Sequence, residues 1–313
     1  MVVVCFQGRA ERPFYVPSTE LLDLGFGEKM NVEIALQNAK CSICGSANCV
    51  TKRFQSTRLL YCEDCDVHAN ADRMSLLETD HYYKYTYFMG EFNEIANIER
   101  MRHFRYPERV WLINVIQATK PAPADLLDIG CDKGFFIDDA RRYGYNVRGV
   151  EPSERARAYC EKIGLSVVES IDEVSGNYDV VTMQHSLEHF SQPLIGLTAA
   201  YNCLRPGGII IVRVPDFSSR WRKLRGEKWV WFQPQNHYFH YSKKSLGIIL
   251  RKAGFDVTSI ASQRPNDALT VRSNLLAGSV FKGKAAAETF RSRLARVLED
   301  ITGVELFAMA RRP

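Results

Sequence analysis

From Leu126 onward the chain alternates two hydrophobic patterns. Short apolar runs recur at 126–129 (LLDI), 146–150 (NVRGV), 165–168 (LSVV), 178–183 (YDVVTM) and 208–214 (GIIIVRV), separated by segments of helix length. Runs this short and this rich in β-branched residues read as strands buried on both faces. Their alternation with helices predicts a parallel sheet wound on both sides, an α/β fold. Beyond them, SKKSLGIILRKAGF (242–255) predicts a helix, with the Ser242 hydroxyl facing the orphan N–H groups of its first turn and Gly254 just past its end. DVTSIAS (256–262) predicts a strand, KAAAETFRSRLARVLEDI (284–301) an amphipathic helix and VELFAMARR (304–312) a last strand.

Upstream, the pattern changes at Pro121 and Pro123, a boundary signal. Residues 69–120 are rich in aromatic and charged side chains, and Phe92, Ile95, Ile98 and Met101 fall at helical spacing, which predicts a helical connector or cap. Residues 39–68 are short, polar and loop-like except for Cys41, Cys44, Cys62 and Cys65, two CxxC pairs with 17 residues between them. Four thiolates at that spacing suit tetrahedral Zn²⁺, which closes a segment too small to fold on its own core. A full thiolate set leaves no open position, so the expected role is structural or docking. Cys49 is a spare thiol within reach, while Cys5, Cys131, Cys160 and Cys203 read as small buried hydrophobes. Residues 1–38 show no clear period and form an arm of unassigned role. The expected organisation is thus arm (1–38), zinc ribbon (39–68), helical connector (69–120) and α/β domain (121–313), without internal repeats.

Composition narrows the function. With 313 residues and 46% hydrophobic content, the chain can bury a sizeable core, so disorder is excluded as the default. Paired CxxC motifs without a secretory leader point to metal in a reducing, cytoplasmic setting, and nowhere do 18 apolar residues run together. The net charge of +5 favours an anionic ligand. A pI near 8.7 falls short of the value above about 9 expected of a dedicated nucleic-acid binder.

The candidate chemistry starts where the first strand ends. LLDIGCDKGFF holds Gly130 and Gly134 at a strand-to-helix junction, and Glu151, 21 residues after Gly130, closes the run VRGVEP. A tight glycine turn followed by a carboxylate at the next strand end is what a nucleoside cofactor needs from a βαβ unit. The spacing is DxGxxxG, not the GxGxxG of dinucleotide-binding domains. Taken in order, LLDIGCDKGFF, GVEPS, YDVVTMQHSLEHF and LRPGGIIIVRVPD resemble class I S-adenosylmethionine-dependent methyltransferases, from about Leu126 to the end of the chain.

That resemblance implies a doubly wound, Rossmann-like sheet of seven mostly parallel strands, with VELFAMARR antiparallel near the edge. It implies S-adenosylmethionine as cofactor, with Asp128 and Gly130 lining its methionine end beside the turn residues Cys131, Asp132 and Gly134. Glu151 would take the ribose hydroxyls, Ser170 and Ile171 would flank the adenine, and Gln184 would lie near the sulfonium. Asp132 stands where the family usually has glycine; aspartate tolerates the left-handed conformation such a turn requires.

Methyl transfer from a sulfonium is an in-line displacement, so the protein aligns the reactants and adds a base for a hydroxyl or amine acceptor. His185, Glu188 and His189 follow the fourth strand, at the end that faces the ligand crevice of an open parallel sheet. They suit a base or orienting group, or a structural network. His185 and His189 are four apart and so are expected to share a helix face, and HxxEH therefore also suits a second divalent metal at His185, Glu188 and His189. The segment is similar to the ExxEH of ubiquinone-pathway O-methyltransferases, with His185 in place of the first glutamate. Residues 217–244 add three of the four tryptophans, seven Lys or Arg, His237 and His240. Aromatics offer stacking area, and Arg and Lys grip phosphate or carboxylate; in similar methyltransferases this stretch forms part of the acceptor pocket, with His237 a further catalytic candidate. A solvated basic loop pinned by its tryptophans is the competing reading.

A zinc ribbon before such a core resembles enzymes of bacterial sugar, polysaccharide and natural-product pathways. The expected activity is O-methylation of a small-molecule, glycan or nucleotide-sugar-like acceptor, which includes phosphorylated carriers. C-methylation of a sugar ranks behind it, because related sugar C-methyltransferases often carry a further C-terminal domain. An RNA methyltransferase using ribbon and basic loop is a rival that salt-sensitive RNA binding would single out. A non-catalytic cofactor-binding scaffold is a third reading. The sequence leaves the oligomeric state open.

Overall fold

The computed structural model describes residues 40–54, 57–71, 98, 102–103, 105–234, 236–263 and 304–313. The arm at 1–38 and the helix expected at 284–301 lie outside the described residues, as does most of the helical connector expected before Arg105. Of the apolar positions expected on that stretch, Ile98 is described, and it is helical and buried.

Three short strands, β1 (Cys49–Phe54), β2 (Thr57–Cys62) and β3 (Val67–Asn70), form an antiparallel meander. Helix α1 (Tyr106–Thr119) starts with Pro107 in its first turn, where the missing N–H costs nothing, and buries Leu112, Ile113 and Ile116. Strand β4 (Asp125–Ile129) leads through the glycine turn to α2 (Phe135–Arg142), and β5 (Asn146–Val150) leads to α3 (Glu154–Lys162) and β6 (Val167–Val168). Then come β7 (Tyr178–Gln184), α4 (Pro193–Cys203), β8 (Leu204–Pro215), the short α5 (Arg220–Arg225), β9 (Phe239–His240), α6 (Lys243–Lys252), β10 (Asp256–Gln263) and β11 (Glu305–Arg311).

The main sheet has seven strands in the order β10-β11-β8-β7-β4-β5-β6. The strands from β8 to β6 pair in parallel, and β11 lies antiparallel between β8 and β10. This is the mostly parallel sheet that the alternating pattern predicts, in the Rossmann-like form that the resemblance implies. Its central strands carry apolar residues at successive positions because helices cover both faces: Leu126, Leu127, Val180, Val181, Ile210 and Ile211 are fully buried. Strand order reverses at β4, with β5 and β6 on one side and β7 and β8 on the other. The crevice of such a sheet opens at the carboxyl ends of the strands flanking that reversal.

Two local readings change. LSVV shortens to the pair Val167–Val168, because β6 is an edge strand that β5 engages only through Gly149 and Val150. The run at 208–214 extends back to Leu204, making β8 a strand of 12 residues. Ser242 caps α6 as expected, accepting from the Ser245 backbone N–H, and Gly254 (φ 95°) follows its end.

The small sheet does not stand apart. Its order is β1-β2-β3-β9, so its fourth strand comes from the stretch after β8. Ile43, Cys62 and Val67 pack in the same buried cluster as Val181, Phe239 and Leu246. Among the described residues no helix is long and apolar enough to cross a membrane.

Candidate functional site

The chain leaves β4 through three left-handed residues, Gly130 (φ 82°), Asp132 (φ 49°) and Gly134 (φ 70°). At Gly130 a Cβ would lie 2.6 Å from the Ser186 Cβ, so conformation and close approach both demand glycine. Gly134 caps α2, and a Cβ there would strike Leu165 and Cys160. Asp132 adopts the left-handed conformation that the sequence requires of it and pairs with the Lys133 ammonium at 3.2 Å.

Two buried carboxylates flank the turn. Glu151 accepts the backbone N–H of Asp132 at 3.0 Å through one oxygen and that of Ser153 at 2.9 Å through the other, so strand end and turn are tied together. Asp128 accepts the Thr182 hydroxyl at 2.6 Å. Burial, reinforced for Glu151 by neighbouring Asp132, pushes both carboxyls up to about 7. Two desolvated acids on one cavity wall call for a cationic or hydroxyl-rich ligand, and the methionine ammonium, sulfonium and ribose of S-adenosylmethionine fit that demand. The cavity, of about 270 Å³, brings together Asp128, Gly130, Cys131, Asp132, Glu151, Gln184, His185 and His189.

Other expected positions lie elsewhere. Gly134, Ser170, Ile171, Glu188 and His237 are not among the residues lining this cavity. Ser170 caps a 3₁₀ turn, Ile171–Glu173, accepting from the Asp172 N–H, and Ile171 is buried in the core. The place beside the adenine that the resemblance implies for them lies outside the residues that line this cavity.

On the acceptor side, β7 is followed by His185, itself left-handed (φ 50°), whose backbone N–H donates to the Arg213 carbonyl at 2.8 Å. The imidazole stacks on Trp231, centroids 4.8 Å apart and planes within 5°. Its Nε2 lies 3.2 Å from a Glu305 oxygen and its Nδ1 3.6 Å from a Glu188 oxygen. Burial opposes charging, yet the two carboxylates outweigh it and push the His185 pKa up to about 9. Glu305 in turn pairs at 2.6 Å with buried Arg213, which also contacts Glu108. Glu305, Arg213 and Glu108 escaped the sequence reading because pairing of β8 with β11 alone brings the last strand to this crevice. A carboxylate opening that apolar strand, VELFAMARR, was the available signal.

His189 is the opposite case. Its Nδ1 lies 2.8 Å from the Asn236 carbonyl. Only the tautomer with a proton on Nδ1 can donate there, so Nε2 keeps its lone pair. Burial holds its pKa below the ordinary histidine value. His237 packs edge-on against it, centroids 4.8 Å apart, and burial keeps that ring neutral as well.

The HxxEH reading needs correction. Residues Leu187–His189 form a 3₁₀ turn after the left-handed His185, so His185 and His189 do not share a helix face. The group with donor atoms within 4.8 Å of one another is Glu188, His189 and His237, with His237 in place of His185. Glu188 is 1% exposed, and neither of its carboxylate oxygens accepts a hydrogen bond from the described residues.

The four expected cysteines also converge. Cys41 and Cys65 sulfurs lie 3.6 Å apart, those of Cys44 and Cys62 3.4 Å, and all four sit within 4.8 Å of one another without a disulfide. A tetrahedron with Zn–S bonds of about 2.3 Å has sulfur–sulfur edges of about 3.8 Å, so the thiols fit that ion. The two knuckles match: the Gly45 N–H reaches the Cys41 carbonyl and the Asp66 N–H that of Cys62, with Gly45 and Asp66 both left-handed. Cys49 lies outside the set, its thiol donating to the Ser46 carbonyl.

A family profile described as a methyltransferase domain matches residues 101–260, just over half of the chain. The ubiquinone biosynthesis O-methyltransferase of Cereibacter sphaeroides is 29% identical over 147 residues, 42% of this chain and 60% of that protein. Its counterpart from Shewanella pealeana is 30% identical over 149 residues, 44% of this chain and 57% of that protein. The chain thus spans about 60% of the length of such relatives. Among solved structures, a Haloferax volcanii methyltransferase in complex with the Trm112 activator has a TM-score of 0.50 at 17% identity, over 71% of this chain and 96% of that one. The plantazolicin methyltransferase BamL, solved with a triazolic desmethylPZN analog and SAH, has a TM-score of 0.51 at 13% identity, over 74% of this chain and 94% of that one. Since the matched profile runs through the turn, the Glu151 strand end and the histidine segment that meet at one cavity, the chain belongs to the methyltransferase domain family, with the fold of class I S-adenosylmethionine-dependent enzymes.

Proposed function

We propose that the chain methylates a hydroxyl oxygen of a small-molecule or glycan-like acceptor, using S-adenosylmethionine. One observation carries the reading: the Asn236 carbonyl accepts from His189 Nδ1, so Nε2 is the basic nitrogen of a neutral ring that lines the same cavity as Asp128 and Glu151. When bound there, the cofactor supplies an electrophilic methyl group. Asp128 and Glu151 hold its ammonium and ribose, and the glycine turn admits it without a Cβ in the way. His189 Nε2 takes the acceptor's hydroxyl proton as the oxygen attacks. His185, held as an imidazolium, does not act as a base; it steadies the negative charge developing on that oxygen. The test is a panel of hydroxylated acceptors, sugars and nucleotide sugars first, with labelled S-adenosylmethionine.

A second reading rests on the Glu188 carboxylate, buried without a hydrogen-bond donor among the described residues. A divalent cation held by Glu188, His189 and His237 satisfies it and makes a two-histidine, one-carboxylate set. Turnover that rises with added Mg²⁺ or Mn²⁺ at constant zinc content supports the cation; turnover indifferent to both leaves His189 as the base.

The cysteine cluster is read as a structural Zn²⁺ site, which predicts about one zinc per purified chain by elemental analysis. Zinc-free protein with its fold intact would refute it. Unbridged thiols in two CxxC pairs fit a reducing, cytoplasmic setting.

A further inference from the structure

The strand that completes the four-cysteine sheet comes from the acceptor side of the cavity. β9 pairs with β3, His240 opposite His68 and Phe239 opposite Ala69. At the end of β3, the Asn70 backbone N–H donates to the Tyr238 carbonyl at 2.8 Å and its side-chain amide donates to the Pro234 carbonyl. Asn70 is 5% exposed, so both bonds are shielded from water. The same segment then reaches the catalytic histidines. Tyr238 N–H donates to the Glu188 carbonyl at 2.8 Å, the Asn236 carbonyl receives the His189 Nδ1 proton, and Trp231 lies flat on His185. Rings seal the junction: His68 packs on Phe217 (centroids 4.8 Å), and Phe217 stacks on His240 (4.6 Å). The cofactor turn is tied differently, with Gly130 N–H bonded to Val150 and Asp132 N–H to Glu151, inside the main sheet.

We propose that the cysteine ribbon is a positioning element of the acceptor half of the active site: the β3 edge, through Asn70, holds Trp231–His240 in the register that fixes the His189 tautomer and covers His185. The proposal rests on the hydroxyl-methylation reading and on metal closure of the four thiols. It gives the ribbon a task within the chain, and it separates the two halves of the site. Disturbing the ribbon loosens the acceptor half and spares the cofactor half.

The experiment uses the full chain with Asn70→Leu, which keeps size, removes the side-chain amide that donates to the Pro234 carbonyl and leaves the backbone N–H bond to Tyr238 in place. Zinc per chain, S-adenosylhomocysteine affinity by calorimetry, amide hydrogen exchange of residues 231–240 and the emission of Trp231, isolated against a Trp231→Phe reference, are measured together. The variant is expected to keep its zinc and hold its affinity within about threefold. Exchange in 231–240 should quicken about tenfold or more, and Trp231 emission should rise as its ring leaves the quenching imidazolium. Unchanged exchange and emission would overturn the proposal. A loss of S-adenosylhomocysteine affinity in step with the loosening would overturn it too, since the ribbon would then support the whole fold. If Asn70→Leu fails to fold, the same readouts on wild-type protein stripped of zinc by a chelator decide between these outcomes. Failure of the underlying readings shows separately, in wild-type protein: absent zinc defeats the metal, and absent S-adenosylhomocysteine binding defeats the cofactor.

Discussion

Two histidines four residues apart, in one six-residue motif, end in opposite charge states. His185 lies between Glu305 and Glu188, whereas His189 faces a carbonyl and a neutral ring, and burial outweighs the pull of nearby Glu188. The sign of the pH effect follows. A histidine whose folded pKa stands at about 9, above about 6.5 in an unfolded chain, stabilises the fold fully below about 6.5 and loses that contribution as pH rises through about 9. Glu305→Gln removes one of the two carboxylates, so the His185 titration followed by NMR should move down by at least about one unit. A midpoint unmoved at about 9 would show that Glu305 does not set the charge. That HSLEHF meets the cavity was legible because it follows a buried strand, at the carboxyl end of the sheet. The different surroundings of the two histidines were not, since Asn236 and Glu305 reach them through loop and strand pairings that local sequence does not record.

At the scale of elements, the glycine turn was the most legible feature. Left-handed geometry at Gly130, Asp132 and Gly134 is a local demand that residue type reveals. Gly130→Ala should cost about 2–4 kcal/mol in urea unfolding, summing left-handed strain and overpacking against Ser186. A loss below about 0.5 kcal/mol, the range of a neutral surface change, would mean that the turn has slack. Elements at edges were read less well: β6 lost half its predicted length, and the HxxEH helix became a 3₁₀ turn. Periodicity reports how a segment would bury itself, not whether a neighbour remains to pair with it.

Across the whole molecule, the sheet order was legible through resemblance, but the joining of ribbon and core was not. A two-residue strand, β9, makes that junction, and it carries too little pattern to announce itself. The junction has its own pH signature. Burial holds His68 and His240 at about 3, below about 6.5 in an unfolded chain. Protons therefore bind the unfolded chain first, and stability falls as pH drops from about 6.5 toward about 3. For fully buried His240 the loss is about 2 kcal/mol by pH 5. His240→Phe should flatten that slope in denaturant titrations; an unchanged slope would place the acid sensitivity elsewhere.

The account stands most directly on where the methyl group goes and what His189 does to its transfer. With labelled S-adenosylmethionine and an accepted hydroxyl compound, wild-type protein should place the label on oxygen. His189→Gln should cut that transfer by about 10²-fold or more while S-adenosylhomocysteine affinity stays within about threefold. Label found on carbon, or transfer undiminished in His189→Gln, would contradict it.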